Sequence, residues 1–195
     1  MFNTQNYFSE IKNVIEKLNL LQIDNAANLI LKVAQNNKQI FTCGNGGSAY
    51  AASHYVTDWN KMYTLKTGKS FRSISLCDNI GTITAYGNDI DFNSIFSGQI
   101  KSLGYPGDLL IVISGSGNSE NTIKALETAK KLSIHTLAFV GYDGGKCARI
   151  ANDIVHIPTF DMQLCEDIHL MIGHVIMKKI CGYEIIKKDQ NSKLT

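Results

Sequence analysis

The chain has 195 residues, 44% of them hydrophobic and 18% charged, with a formal net charge of +2. Such a length suits one domain with a real core, and the composition excludes a disordered chain. A balance this near neutrality gives no electrostatic reason to expect nucleic acid or a membrane surface as partner. The five cysteines (Cys43, Cys77, Cys147, Cys165, Cys181) lie far apart with no CxxC pair, which fits reduced thiols used mostly as core filler. The first residues lack a basic and then apolar leader, and no apolar run approaches the ~18 residues of a membrane span. A soluble, cytoplasmic protein is expected.

Residues 4–36 carry apolar positions at helical spacing (Ile11, Val14, Ile15, Leu18, then Ala26, Leu29, Ile30, Val33), which predicts two helices meeting near Gln22 to Asp24. Short β-like runs follow at 39–43, 71–76, 108–114, 136–141 and 153–157, with helical patterns at 47–63, 92–103, 118–132 and 162–182. Strands alternating with helices imply an α/β fold: a doubly wound, five-stranded parallel sheet of flavodoxin-like type, with N-terminal helices. The helical segment 1–36 is read as part of the same domain as the body, 37–187, with a loose tail at 188–195. In such sheets ligands sit beyond the carboxyl ends of the strands, where the strand order reverses.

Two loops fall at those ends. The apolar run Leu109 to Ile113 enters Ser114, Gly115, Ser116, Gly117, Asn118 and Ser119 before a helical pattern; Gln39 to Cys43 enters Gly44, Asn45, Gly46, Gly47 and Ser48 before another. Hydroxyls and free N–H groups at a helix N-terminus suit a phosphate. The Gly44 to Ser48 loop lacks GxGxxG spacing, and no acidic residue stands about 20 positions on at a strand end, which argues against a dinucleotide.

His54 and Asp58 stand four apart on a helix, so they project from one face as a metal-ligand pair or as a solvated, hydrogen-bonded pair. The last helix carries Glu166, Asp167, His169 and His174 among Leu164, Ile168, Leu170, Ile172, Val175 and Ile176. Polar groups this dense in an apolar helix need partners if buried. Glu166 and His174 differ by about 80° around the axis and can still face one cavity. His169 is either a site residue or a satisfied core histidine. His135 and His156 read as structural or exposed. Trp59 is read as packing or a subunit contact, and Gly141 to Gly145 as a turn. Gly87, Asn88 and Asp89 read as a loop whose Asn–Asp pair holds sugar hydroxyls or caps a helix starting near Phe92.

Together, Gly44 to Ser48, His54, Gly87 to Asp89, Ser114 to Ser119, Asp143 to Gly145 and Ile168-His169 with His174 resemble the phosphoheptose isomerases of the sugar isomerase (SIS) domain superfamily. The likeness runs over almost the whole chain. It implies a ketose–aldose isomerase converting sedoheptulose 7-phosphate to D-glycero-D-manno-heptose 7-phosphate, for nucleotide-activated heptose of lipopolysaccharide or capsule. Carried over by position, Ser48, Ser114, Ser116 and Ser119 hold the phosphate in the loop that includes Gly115. Asn45, Gly46, Gly47, Asn88 and Asp89 touch the sugar, with Asp58 and Glu166. One Zn²⁺ per site falls to His54, Asp58, Glu166 and His174, and the acid/base pair to Asp58 and His174. The resemblance also implies a homotetramer with interfacial active sites; the apolar stripe of residues 11–33 suits that or a helix covering its own sheet.

Three positions depart from the family pattern. Asp58 stands for Glu, Glu166 for Gln, and Met62 for Arg. Two neutral histidines and two carboxylates balance the charge of Zn²⁺, which binds the metal more tightly and makes it a weaker Lewis acid. In the expected mechanism a proton moves between C1 and C2 through a cis-enediol, one of Asp58 and His174 removing it and the other protonating the opposite end, with His174 preferred as the mobile base. Two other readings stand beside the enzyme. One is a non-catalytic SIS adaptor that binds the replication initiator, a class lacking the catalytic carboxylate and final histidine; the other is a sugar-phosphate-binding domain without turnover.

Overall fold

The computed structural model describes residues 3–184. The five apolar runs form strands β1 (Ile40–Cys43), β2 (Ser73–Ser75), β3 (Leu109–Ser114), β4 (His135–Val140) and β5 (Asp153–His156). All pair in parallel in the order β2-β1-β3-β4-β5. Every residue of β3 is buried, as expected of a central strand covered on both faces. Side chains alternate between two cores. Ile40, Leu109, Ile111, Leu137 and Phe139 pack under helices α1 (Thr4–Glu16), α2 (Leu20–Gln35), α3 (Gly47–Thr67) and α8 (Met162–Cys181). Phe41, Leu110, Val112, Ala138 and Val140 face the other side, under α5 (Ser97–Leu103), α6 (Glu120–Lys131) and α7 (Gly145–Ile150). The doubly wound reading is thus the observed one. The tail expected at 188–195, and the last three residues of the body ending at 187, lie outside the described residues.

Several boundaries differ from expectation. The break between α1 and α2 falls at residues 17–19 and not near Gln22 to Asp24. Asn19 sets it, its side chain accepting from the N–H groups of Leu21 and Gln22 as an N-cap. Asp24 lies inside α2 and pairs with Lys179 of α8. Gly87, Asn88 and Asp89 are not a loop; they close an unforeseen helix α4 (Ile80–Asp89) capped by Asn79. That helix has two glycines and no buried residue, so it shows no apolar stripe to read. The helix expected at 92–103 is a 3-10 turn (Phe92–Ser94) followed by the shorter α5. The turn after β4 continues into α7, whose six residues are too few for a periodic signal.

Candidate active site

Two helices build the site because their buried faces lock together. Tyr55 and Trp59 of α3 stack with ring centroids 4.9 Å apart, both almost fully buried. The Tyr55 hydroxyl donates to the carbonyl of His169, and the Trp59 indole N–H to that of Gly173 at 3.1 Å. The ring of Tyr55 lies where a Cβ on residue 173 would stand, so only glycine allows this approach of α3 to α8. Trp59 is therefore packing and an inter-helix tie.

One position before each of Tyr55 and Trp59, the register presents His54 and Asp58, and α8 brings His174 to meet them. The Nε2 atoms of His54 and His174 are 2.9 Å apart, with the rings edge-on at 84°. Asp58 Oδ2 lies 3.4 Å from each of those nitrogens. All three side chains are half-buried at the protein surface. These ligand atoms lie within 4.8 Å of one another, the one such group of histidine, cysteine and acidic side chains among the described residues. Around a tetrahedral Zn²⁺ with bonds of ~2.0–2.1 Å, neighbouring ligand atoms stand about 3.3 Å apart. Two imidazoles and a carboxylate at this spacing fit a catalytic metal that keeps an open position.

Glu166, expected as a fourth ligand, is outside that group. Its carboxylate rests against Gly47 at the start of α3, where a Cβ would collide with it. Glu166, Gly47 and His54 line a cavity of about 380 Å³ with Tyr50, Ala51, Asp167 and Leu170. At its rim the Tyr7 hydroxyl of α1 donates to Asp167 at 2.7 Å, and that bond pushes the phenol up to about 12.

The hydroxyl-rich loops lie at the C-terminal ends of adjacent strands, β1 and β3, where the strand order reverses. Gly117 takes φ +64°, and its N–H donates to Ser114 Oγ at 3.1 Å; Ser116 Oγ accepts from Asn118 N–H at 3.2 Å. Ser119 is the N-cap of α6, yet its hydroxyl makes no capping bond. Ser48 is buried in the first turn of α3. Asn45 exchanges two 2.8 Å amide hydrogen bonds with Asn121, which ties its loop to the first turn of α6. Asn88 donates to Asp89 at 2.8 Å, and both are exposed on α4.

Of the other histidines, His135 pairs with Asp153 at 2.6 Å and His156 faces the Tyr142 carbonyl at 2.8 Å, both structural as expected. His169 is completely buried beside Cys165 Sγ, 3.8 Å from either ring nitrogen, and burial drives its pKa down to about 3. It is a neutral core histidine. A larger cavity, about 680 Å³, is lined by His135 but by none of the candidate site residues. Two of its lysines are committed to carbonyls, Lys38 to Pro106 and Lys130 to Ile150. Tyr7, Tyr55 and Asn121 were missed in the sequence. Tyr55 with Trp59 at i, i+4 beside the His54–Asp58 pair was a readable signal; an asparagine in the first turn of α6 was a weaker one.

The fold is a doubly wound α/β domain, and the SIS-domain family model matches residues 6–141. A phosphoheptose isomerase of Helicobacter pylori is 36% identical over 77% of this chain and 78% of its own length. One from Aquifex aeolicus is 34% identical over 88% and 90%. The solved phosphoheptose isomerase of Neisseria gonorrhoeae superposes with a TM-score of 0.85 at 31% identity, covering 91% of this chain and 96% of that one. The chain belongs to the phosphoheptose isomerase family of SIS-domain proteins.

Proposed function

We propose that this protein is the isomerase that interconverts sedoheptulose 7-phosphate and D-glycero-D-manno-heptose 7-phosphate, the entry to activated heptose for lipopolysaccharide or capsule. The observation that carries the reading is the meeting of His54, Asp58 and His174, from two helices, at a domain with two hydroxyl-rich loops. Ser48, Ser114, Ser116 and Ser119 bind the phosphate, with loop N–H groups and the α6 N-terminus adding positive potential. Asn45, Gly46, Gly47 and Glu166 orient the sugar, with Asn88 and Asp89 contributing from α4. His54, Asp58 and His174, with Glu166 nearby, would hold a Zn²⁺, which would supply stabilisation of developing negative charge.

His174 acts as the base once its Nε2 lone pair is free of the metal, because that one pair cannot hold Zn²⁺ and a proton together. It takes the C1 proton of the ketose, the electron pair forms the C1–C2 double bond of the enediol, and the carbonyl oxygen on C2 gains a proton. Return of a proton to C2 and loss of the O1 proton then give the aldose, with no net oxidant or reductant. Asp58 serves the opposite end of this transfer. A non-catalytic adaptor would have no use for a carboxylate and histidine held in mutual reach. His174→Gln and Asp58→Asn should each lower kcat by about 10²-fold or more in an isomerase assay. Near-normal turnover in both would end the proposal.

The five unpaired thiols support a reducing, cytoplasmic setting, and no described helix is long and apolar enough to cross a membrane. We assign a homotetramer with sites at subunit interfaces. Tyr50 is 82% exposed and Val175 45% exposed, and they flank the site as apolar surface that a second subunit would cover. A sedimentation mass of one chain would contradict that assembly.

A further inference from the structure

We propose that Asn121 is a positioning residue, and that its amide pair with Asn45 is a clamp holding the two sides of the phosphate site, the Ser48 loop and the Ser119 helix start, in fixed register. This rests on the isomerase reading above. Asn45 belongs to the loop that launches α3, whose next turns carry His54 and Asp58. Asn121 sits two residues after Ser119, in the first turn of α6, and is 2% exposed. Each side chain donates to and accepts from the other at 2.8 Å across 76 residues of sequence.

No backbone hydrogen bond is recorded between the Gly44 to Ser48 loop and the Ser114 to Ser119 loop. The side-chain pair instead ties the Gly44 to Ser48 loop to the first turn of α6, just past the Ser114 to Ser119 loop. Two parallel bonds between planar amides fix orientation as well as distance, and the burial of Asn121 shields its side of the pair from competing water. The pair leaves Asn45, which is half-buried, one N–H and spare lone pairs for a bound sugar. Without the clamp, α6 and α3 keep their sheet contacts, but their loops lose a shared reference. A phosphate ester gripped by Ser48 on one side and Ser119 on the other would then bind more weakly, because its two sets of donors are no longer held in register.

The test is a double-mutant cycle on the full chain: Asn121→Ala, Asn45→Ala and the pair. The readouts are isomerase kinetics with sedoheptulose 7-phosphate, the Kd for inorganic phosphate by calorimetry, and thermal unfolding. Because Asn45 also touches the sugar, the cycle is read on the phosphate Kd, which the single and double variants should raise by similar factors, on the order of tenfold, and Asn121→Ala should raise KM likewise. A change in kcat below about threefold would accompany it, a split that mere loss of stability would not give. Asn121→Ser, which suits a first helical turn and cannot span to Asn45, serves if the alanine variant does not fold. Unchanged KM and phosphate Kd in Asn121→Ala, or multiplicative effects of the two alanines, would overturn the clamp. So would a wild-type protein that binds no phosphate. A wild type that binds phosphate but turns over no ketose phosphate would instead sink the isomerase reading and leave the clamp to be judged on Kd alone.

Discussion

Asp58 is one methylene shorter than the family's glutamate, yet its Oδ2 reaches both imidazoles at 3.4 Å. The shortening is absorbed locally, since the helix already brings His54 and Asp58 to one face. Glu166, in place of glutamine, sets a second carboxylate against Gly47. Gly47→Ala would push only the flexible end of that side chain, and alanine is a better helix former than glycine. It should therefore leave the melting temperature unchanged or slightly raised while KM rises severalfold; a large loss of stability with normal KM would contradict the placement of Glu166. Met62, where the family has arginine, packs against the core under α3 and α8, so that position supplies apolar contact here. His169 makes a separate prediction. Its folded pKa, about 3, lies below the ordinary ~6.5 of an unfolded histidine because burial penalises the imidazolium. The unfolded chain then binds the extra proton, so stability holds above about pH 6.5 and falls as pH drops toward 3, by on the order of 1 kcal/mol per pH unit. Denaturant melts of His169→Phe should show a shallower acid slope than wild type; identical slopes would assign the loss to other groups.

Among the elements, the strands and the two ligand loops were legible because an apolar run ending in Gly, Ser and Asn has few other uses. The pairing of His54 with Asp58 was legible from helical spacing. Their meeting with His174 was not, because it depends on how α3 packs on α8 across 120 residues of chain. The exposed helix α4 and the six-residue α7 escaped for want of an apolar stripe, and the α1–α2 break was misplaced because the Asn19 cap was passed over. The α3–α8 register rests on Tyr55, Trp59 and the bare Cα of Gly173. Trp59→Phe keeps most of the buried ring and removes the donor to Gly173. A loss of about 1 kcal/mol is expected, or roughly 2–4 °C in Tm for a domain this size. Metal retention should fall with it if the register sets the His54–His174 distance. A variant with unchanged Tm and metal content would remove the tie from the account.

Across the whole molecule, two apolar cores on either face of one parallel sheet leave the carboxyl ends of β1 and β3 as the natural ligand crevice. The His54–Asp58–His174 group lies one layer out, on helices packed over one face, and α3 links the two tasks by carrying Ser48 in its first turn and His54 and Asp58 further along. The direct measurement is NMR of the purified protein with sedoheptulose 7-phosphate in D₂O, before and after chelation and after zinc is restored. The expected result is conversion to the aldose with deuterium entering at C2, loss of that conversion on chelation, and its recovery with zinc. Absence of conversion in the zinc-loaded protein would contradict the account.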